Sequence, residues 1–312
     1  MSHRPDLSVM FGSLRSGTTM VRLMLDGHPR LIAPGETDFL TDHLRRNRAG
    51  DWQYDLASLA ADRMFQAMDI PVPQSTDAAT AFAELCVSLR RGQTRPLVLI
   101  AHRGLDRLLD LVPDIPVIHL VRDPRDVARS AIGMGWAGNT YHGARTWLET
   151  ELEWEQTVHR LNSDQHLDLR YEQLVHAPEH NLKEMCAFLG ETFEPAMLDY
   201  TINSTYARPD PALTEQWRHK QTPRELGLIE PLFGELLSQR GYAFSGHPHL
   251  HPGPFGRLAL RLDHLRSVWS RRIARYGVWD PIYVRLCERL GLQAWARPAQ
   301  RRMDVITQDY LK

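Results

Sequence analysis

The chain has 312 residues, of which 43% are hydrophobic and 24% charged, with a formal net charge of −1. That length suits one large globular unit with a sizeable core, or one such unit and an appendage. A near-neutral balance gives no overall pull toward nucleic acid. Three widely spaced cysteines, Cys86, Cys186 and Cys287, offer neither a C-x-x-C pair nor an even disulfide framework.

The start, Met1-Ser-His-Arg-Pro-Asp6, is polar and lacks the apolar stretch of a secretory leader. No run of 18 apolar residues exists to span a bilayer. The expectation is a cytoplasmic protein with reduced thiols. Leu7 to Phe11 is a short apolar run, followed by a glycine-bounded turn and by Thr18 to Gly27, where Met20, Leu23 and Met24 recur at helical spacing. This reads as strand, loop, helix, ended by His28-Pro29. Residues 37 to 95 read as mostly helical, broken near Pro71-Val-Pro73.

Leu97 to Ala101 and Val117 to Val121 are further apolar strands, and alternation over His166 to Arg170 suggests a fourth. Asp123 is placed to cap a helix with Pro124 at its first position. Pro178 to Leu189 carries Leu182, Met185, Cys186 and Leu189 on one helical face, with Gly190 just past its end. Thr222-Pro-Arg-Glu225 is a capping box. It opens a helix striped by Leu226, Ile229, Phe233 and Leu236 and expected to close at Gly241. Strands alternating with helices predict an α/β fold, a parallel β-sheet flanked by helices. Ligands in such folds bind beyond the carboxyl ends of the strands.

Two loops at such ends carry chemistry. The first, Gly12-Ser-Leu-Arg-Ser-Gly-Thr-Thr19, resembles a phosphate loop, G-x-x-x-x-G-K-[ST], but Thr18 holds the lysine position. Arg15 supplies a forked cation inside the loop instead. The helix that follows aims its positive end at the same spot. The second is Arg122-Asp-Pro-Arg-Asp-Val-Ala-Arg-Ser130, where Arg122 ends a strand and Ser130 lies about two helical turns on. A guanidinium and a hydroxyl there suit one phosphate. Alone, Arg122 paired to a carboxylate and Ser130 in solvent fit as well.

Together, in this order and each after an apolar strand, the loops resemble the two motifs of the sulfotransferase family that uses 3′-phosphoadenosine-5′-phosphosulfate (PAPS). Residues 168 to 190 and the stretch from Trp217 to Tyr242 are similar to the same family. The resemblance runs over roughly residues 7 to 243 and implies the phosphate-loop sulfotransferase fold. Arg15-Ser16-Gly17-Thr18-Thr19 matches the tyrosylprotein branch and implies a cradle for the 5′-phosphosulfate, with Arg15 at the leaving group. Arg122 and Ser130 are implied as the 3′-phosphate clamp. Glu36, in Gly35-Glu-Thr37, is implied as the base, with Asp38 and His43 as nearby alternatives. Ser204 and Arg208 resemble a serine and cation that close over the phosphosulfate. Tyr171 resembles the tyrosine near the adenine, or is a core aromatic.

The chain departs from the family at Leu99-Ile-Ala-His-Arg-Gly104, where many members carry Lys-[Thr/Asp]-Pro. Arg103, or His102, would have to replace that lysine. A kinase or nucleotide hydrolase, and a non-catalytic nucleotide-binding protein of the same fold, are the competing readings. The resemblance implies PAPS as co-substrate and no metal.

The acceptor side falls in residues 37 to 95, where Asp42, Arg45, Arg46 and Arg48 precede Trp52 and Tyr54. This run suits a sugar, peptide or small-metabolite acceptor, or simply a solvated helix face. The expected division is residues 1–245 as the sulfotransferase domain and 246–312 as a basic helical extension. From Arg257 to Arg302 there are eleven arginines against Asp263, Asp280 and Glu288. Interspersed are Leu258, Leu260, Leu262, Leu265, Val268, Trp269 and Ile273. The extension is expected to pack its leucines on the core or on a second copy in a homodimer. Peripheral contact with an anionic membrane is the other reading.

Overall fold

A computed structural model describes residues 6–204 and 208–311. Its centre is a parallel sheet of four strands, β1 (Leu7–Phe11), β4 (Leu97–Ala101), β5 (Val117–Val121) and β6 (His166–Arg170), in the order β4-β1-β5-β6. All four are the runs expected from their apolar patterning. β1 sits in the middle, with Phe11 level with Ala101 on one side and with His119 on the other. The chain leaves β1 toward β4 and leaves β5 toward β6. The carboxyl ends of β1 and β5 therefore flank the point where the winding reverses, the place such sheets offer a ligand.

Alternation along the strands sorts the core into two layers. Val9, Phe11, Leu97, Leu99 and Val117 face one side, packed with Phe39, Phe82, Leu85 and Trp154. Met10, Val98, Ile100, Ile118 and Leu120 face the other, packed with Val21, Met24, Leu174 and Met185. Both faces are covered, as a parallel sheet requires. The helix Thr18–Asp26 follows the first loop, and Pro124–Gly133 follows the second, with the Asp123 carboxylate accepting from the Arg125 amide as its cap.

Four features differ from the sequence reading. Residues 37 to 95 are not uniformly helical: Leu44–Arg46 (β2) and Trp52–Tyr54 (β3) form a small antiparallel hairpin. The Arg46 guanidinium lies 4.2 Å from the Trp52 ring centroid, a cross-strand pair that a helical reading misses. The helix Thr140–Thr157 was not foreseen. It buries Trp147 and Trp154, but its buried Glu151 is spent on His119 and Arg240, which blurs the apolar stripe. The capping box at Thr222 and Glu225 is present, but the helix ends at Phe233 because Gly234 turns to φ 55. A short helix, Glu235–Gln239, then carries Leu236.

The fourth difference concerns the chain's end. Three helices, Pro254–Tyr276, Trp279–Arg289 and Gln293–Leu311, make up the basic extension. Its first helix buries none of its residues, and Leu258, Leu262 and Leu265 are exposed. Polar groups, not leucines, dock it. The Gly138 amide donates to His264 Nδ1 at 3.0 Å, and the Asn139 side chain donates to Asp263 at 2.8 Å. Arg271 donates to the Ala137 carbonyl at 3.1 Å. No described helix is long and apolar enough to cross a membrane.

Candidate active site

The first loop is built for close approach. A Cβ on Gly12 would meet the Leu120 carbonyl oxygen at 2.3 Å, so only glycine lets the loop leave β1 against β5. Arg15 and Gly17 both turn left-handed, at φ 74 and 94. Arg15 does so at a cost of about 1–2 kcal/mol relative to a relaxed backbone. Left- and right-handed residues in alternation bring successive N–H groups onto one concave side. The first turn of the following helix leaves its amides without intrahelical partners, and Gly17 caps it with no side chain.

The second loop is clamped to the first. Arg15 Nε donates to Ser130 Oγ at 2.9 Å, and Arg122 donates to the Arg15 carbonyl at 3.1 Å. The Arg122 guanidinium lies 4.4 Å from the Tyr171 ring centroid, while Tyr171 covers Gly17 so closely that a Cβ there would sit 2.5 Å from its ring. Tyr171 is thus a wall of the site, wedged between the two loops. Arg122 Nε is buried without a partner. A second buried cation fixes the loop's far side. Arg125 pairs with Asp123 and Glu230, at 2.7 and 2.8 Å, and stacks 3.6 Å from the Trp217 centroid. Glu172 accepts the Asp123 amide and the Tyr242 hydroxyl. Residues 217 to 242 therefore hold the second loop in place.

Two hollows share Arg122. One, about 270 Å³, is lined by Arg15, Gly17, Thr18, Thr19, Glu36, Trp136, Tyr171 and Arg208. The other, about 310 Å³, is lined by Asp126, Arg129, Ser130 and Gln216. Two cationic hollows joined by one guanidinium fit a ligand with two separated phosphates, and the orphaned Arg122 Nε is a donor still to be satisfied. Ser16 lies beneath the loop with its hydroxyl 2.6 Å from Ser13, and does not line either hollow. Ser204 is half-buried and also lines neither; residues 205–207, between it and Arg208, lie outside the described residues.

Glu36 lines the first hollow, and among the described residues its carboxylate makes no hydrogen bond or ion pair. Of its nearby alternatives, His43 is turned away, held to Asp62 at 3.0 Å. Asp38 is buried and takes two bonds from His102, from the backbone amide and from Nδ1, each 2.7 Å. Burial alone would raise the Asp38 carboxyl, but the His102 hydrogen bonds and charge, helped by Arg103, hold it below the usual range. The other ring nitrogen, His102 Nε2, lies 3.2 Å from Thr18 Oγ1.

Arg103 is not where the resemblance put it. Its guanidinium is spread over the Asp42 carboxylate, with Nε at 2.8 Å, half-exposed, and it lines neither hollow. The strand's last turn gives the reason. β4 runs parallel to β1 with Ala101 beside Phe11, so the residue directly after Ala101 faces the loop and the next one faces away. That register was the missed signal for His102. Glu36, Asp38 and His102 also place ligand-type atoms within 4.8 Å of one another, a grouping the sequence hid. Both His102 nitrogens already have protein partners, which suits a proton relay better than a metal.

A model of the sulfotransferase family matches residues 9–195. The chain belongs to the sulfotransferase family. As a member, it transfers a sulfuryl group from PAPS to an acceptor. Among curated relatives, protein-tyrosine sulfotransferase 1 of Danio rerio is 24% identical over 298 residues, covering 85% of this chain and 80% of the relative. A putative protein-tyrosine sulfotransferase of Caenorhabditis briggsae is 26% identical over 209 residues, covering 64% and 71%. Among solved structures, the sulfotransferase domain from the curacin biosynthetic pathway superposes with a TM-score of 0.59 at 21% identity, over 78% of this chain and 100% of that one. That structure shows the fold alone; the family match over residues 9–195 is what sets aside the hydrolase and kinase readings.

Asp126 gives the site a measurable pH signature. Burial pushes its carboxyl up to about 6, with Asp123 and Glu172 adding to the rise against the opposing charge of Arg122. A folded-state value above the unfolded one means the native protein binds the proton more tightly, so this group's stabilisation is full below pH 4 and is lost as pH rises through 6. Asp126→Asn, which keeps an acceptor for the Trp217 amide, is expected to stabilise the fold by about 1–3 kcal/mol at pH 7.5 and by nothing at pH 4. Denaturant midpoints at the two pH values check it.

Proposed function

We propose that the β1–β5 cleft works as follows. The amides of Gly17 to Thr19 and the Arg15 guanidinium receive the 5′-phosphosulfate. Arg122, Ser130 and Arg129 receive the 3′-phosphate. The observation that carries this reading is the direct joining of the loops, Arg15 to Ser130 and Arg122 to the Arg15 carbonyl. One rigid unit can then read both phosphates at fixed separation. Arg208 borders the same cleft as a closing cation, while Ser204 lines neither hollow. Tyr171 is a wall for the nucleotide as well as a core aromatic.

Glu36 takes the proton from the acceptor hydroxyl. The acceptor oxygen bonds to sulfur as the bond from sulfur to the bridging phosphate oxygen breaks, leaving 3′-phosphoadenosine-5′-phosphate. Arg15 meets the charge that grows on the leaving phosphate. We assign the family lysine's place to His102 rather than Arg103. The Asp38 carboxylate fixes its Nδ1 hydrogen, which turns Nε2 toward Thr18 and the phosphate loop. Buried behind Thr18, which lines the cleft, His102 would act on the leaving oxygen through the Thr18 hydroxyl. The acceptor is a hydroxyl compound, and the relatives named for protein tyrosine favour a phenol.

Two experiments test the reading. The native protein is expected to bind 3′-phosphoadenosine-5′-phosphate in preference to AMP. Arg122→Ala removes a charged hydrogen bond of about 1.5–3 kcal/mol, so it should weaken that binding roughly ten- to a hundredfold and erase the preference. Calorimetry showing equal affinity of the native chain for both nucleotides would sink the clamp. In turnover, Glu36→Gln should lose about 10²–10⁴-fold and His102→Ala about 10²–10³-fold at unchanged nucleotide affinity, while Arg103→Ala stays near the native rate. Should Arg103→Ala fall and His102→Ala not, the assignment reverses.

A further inference from the structure

Behind Trp136 lies a third cavity, of about 520 Å³, built from three separate parts of the chain. The short helix Arg63–Met68 contributes Arg63. The turn after the helix Pro124–Gly133 contributes Trp136. The C-terminal extension contributes Arg271, Arg272, Arg275 and Arg285. Among the described residues no carboxylate lines it. Five arginines lining one hollow favour an anion there, and the guanidinium fork suits carboxylate, phosphate and sulfate oxygens alike. Arg271 is partly engaged by the Ile132 and Ala137 carbonyls, which fastens the extension to the core. Arg63 and Arg272 make no ion pair or side-chain hydrogen bond among the described residues. The remaining wall is mostly apolar, including Val268, Val284 and Met303, with Gln300 and Tyr276 as its polar members.

Position connects this cavity to the reaction. Trp136 is a common wall: it also lines the cleft that holds Glu36 and Arg15, and the Arg15 guanidinium lies 5.9 Å from its ring centroid. A molecule seated among the arginines would rest against one edge of Trp136 while the sulfuryl donor lies beyond the other. We propose that this cavity is the acceptor's anion subsite. It takes a small acceptor that carries a carboxylate, phosphate or sulfate on an apolar body, with the acceptor hydroxyl reaching past Trp136 to Glu36. The proposal rests on the β1–β5 cleft being the sulfuryl-transfer site. It gives the extension a function: without it, the subsite loses four of its five cations.

The test uses the full chain, the double variant Arg63→Ala/Arg272→Ala, and Arg63→Gln/Arg272→Gln in case the first folds poorly. The probes are 8-anilinonaphthalene-1-sulfonate, an apolar anion that fluoresces when bound, and its uncharged relative N-phenyl-1-naphthylamine. The native protein is expected to bind the sulfonate at least tenfold more tightly than the neutral probe. Both variants should lose that preference and keep native affinity for 3′-phosphoadenosine-5′-phosphate. In turnover with PAPS, 4-hydroxyphenylalkanoates should show a lower KM than their amides in the native enzyme. That gap should close in the variants with kcat little changed. Equal loss of both probes, an unchanged preference in the variants, or no KM gap overturns the subsite. So does retention by phosphatidylglycerol vesicles that depends on Arg63 and Arg272, because the cations would then serve a lipid headgroup. Failure of the native chain to bind 3′-phosphoadenosine-5′-phosphate would instead overturn the transfer site and leave the probe result standing.

Discussion

Parallel pairing of β1 between β4 and β5 is the constraint on which the site depends. The register sets Phe11 level with Ala101 and His119, so β1 and β4 end at one height while β5 runs two residues further, to Val121, beside the first loop. Gly12, His102 and Arg122 are thereby neighbours although scores of residues separate them in sequence. The close pairing also explains why Gly12 cannot carry a Cβ: the Leu120 carbonyl already fills that space. Hydrophobic burial on both faces of the sheet holds this register, since a one-residue slip would turn every core side chain of β1 to the wrong layer.

Charge completes what the sheet begins. Arg15, Arg122 and Arg129 gather at one edge, where Glu36, Asp126 and Asp210 also line the hollows. The second loop is anchored from behind by the buried Arg125, with Asp123, Glu230 and Trp217 around it. A buried pair of this kind contributes less to net stability than to uniqueness of position. Removing one partner would leave a charge stranded. Here the position matters, because the same loop carries Arg122 and Ser130. Among the described residues Asp126 is the one acid lining the hollow with Arg129 and Ser130, and burial raises its carboxyl to about 6.

What the sequence made legible was local. Apolar runs marked three strands of the main sheet and alternation the fourth, Asp123 with Pro124 and Thr222 with Glu225 marked helix starts, and glycines at 12 and 17 marked the turn after β1. Pairings across long separations were not legible. His102 finds Asp38 at a distance of 64 residues, and nothing in either local pattern hints at the other. Arg103, adjacent in sequence and the better cation, was the natural choice until strand register turned it toward Asp42. The hairpin of β2 and β3 escaped because three-residue strands carry no usable periodicity, and its Arg46–Trp52 contact is visible only once the turn is made. The extension's leucines suggested burial on the core or on a second copy; on the core, hydrogen bonds donated by Gly138, Asn139 and Arg271 dock it instead, and Leu258, Leu262 and Leu265 stay exposed.

The central claim is that the loops after β1 and β5 act as one clamp for two phosphates. A crystal structure of the protein with 3′-phosphoadenosine-5′-phosphate tests it most directly. The account predicts the 5′-phosphate within hydrogen-bond reach of the Gly17 to Thr19 amides and the 3′-phosphate on Arg122 and Ser130. It also predicts that the buried Arg122 Nε gains the partner it lacks and that Glu36 stays open to the cleft. A 3′-phosphate seated away from Arg122, with the Arg15–Ser130 bond untouched and Arg122 Nε still unpaired, would contradict it.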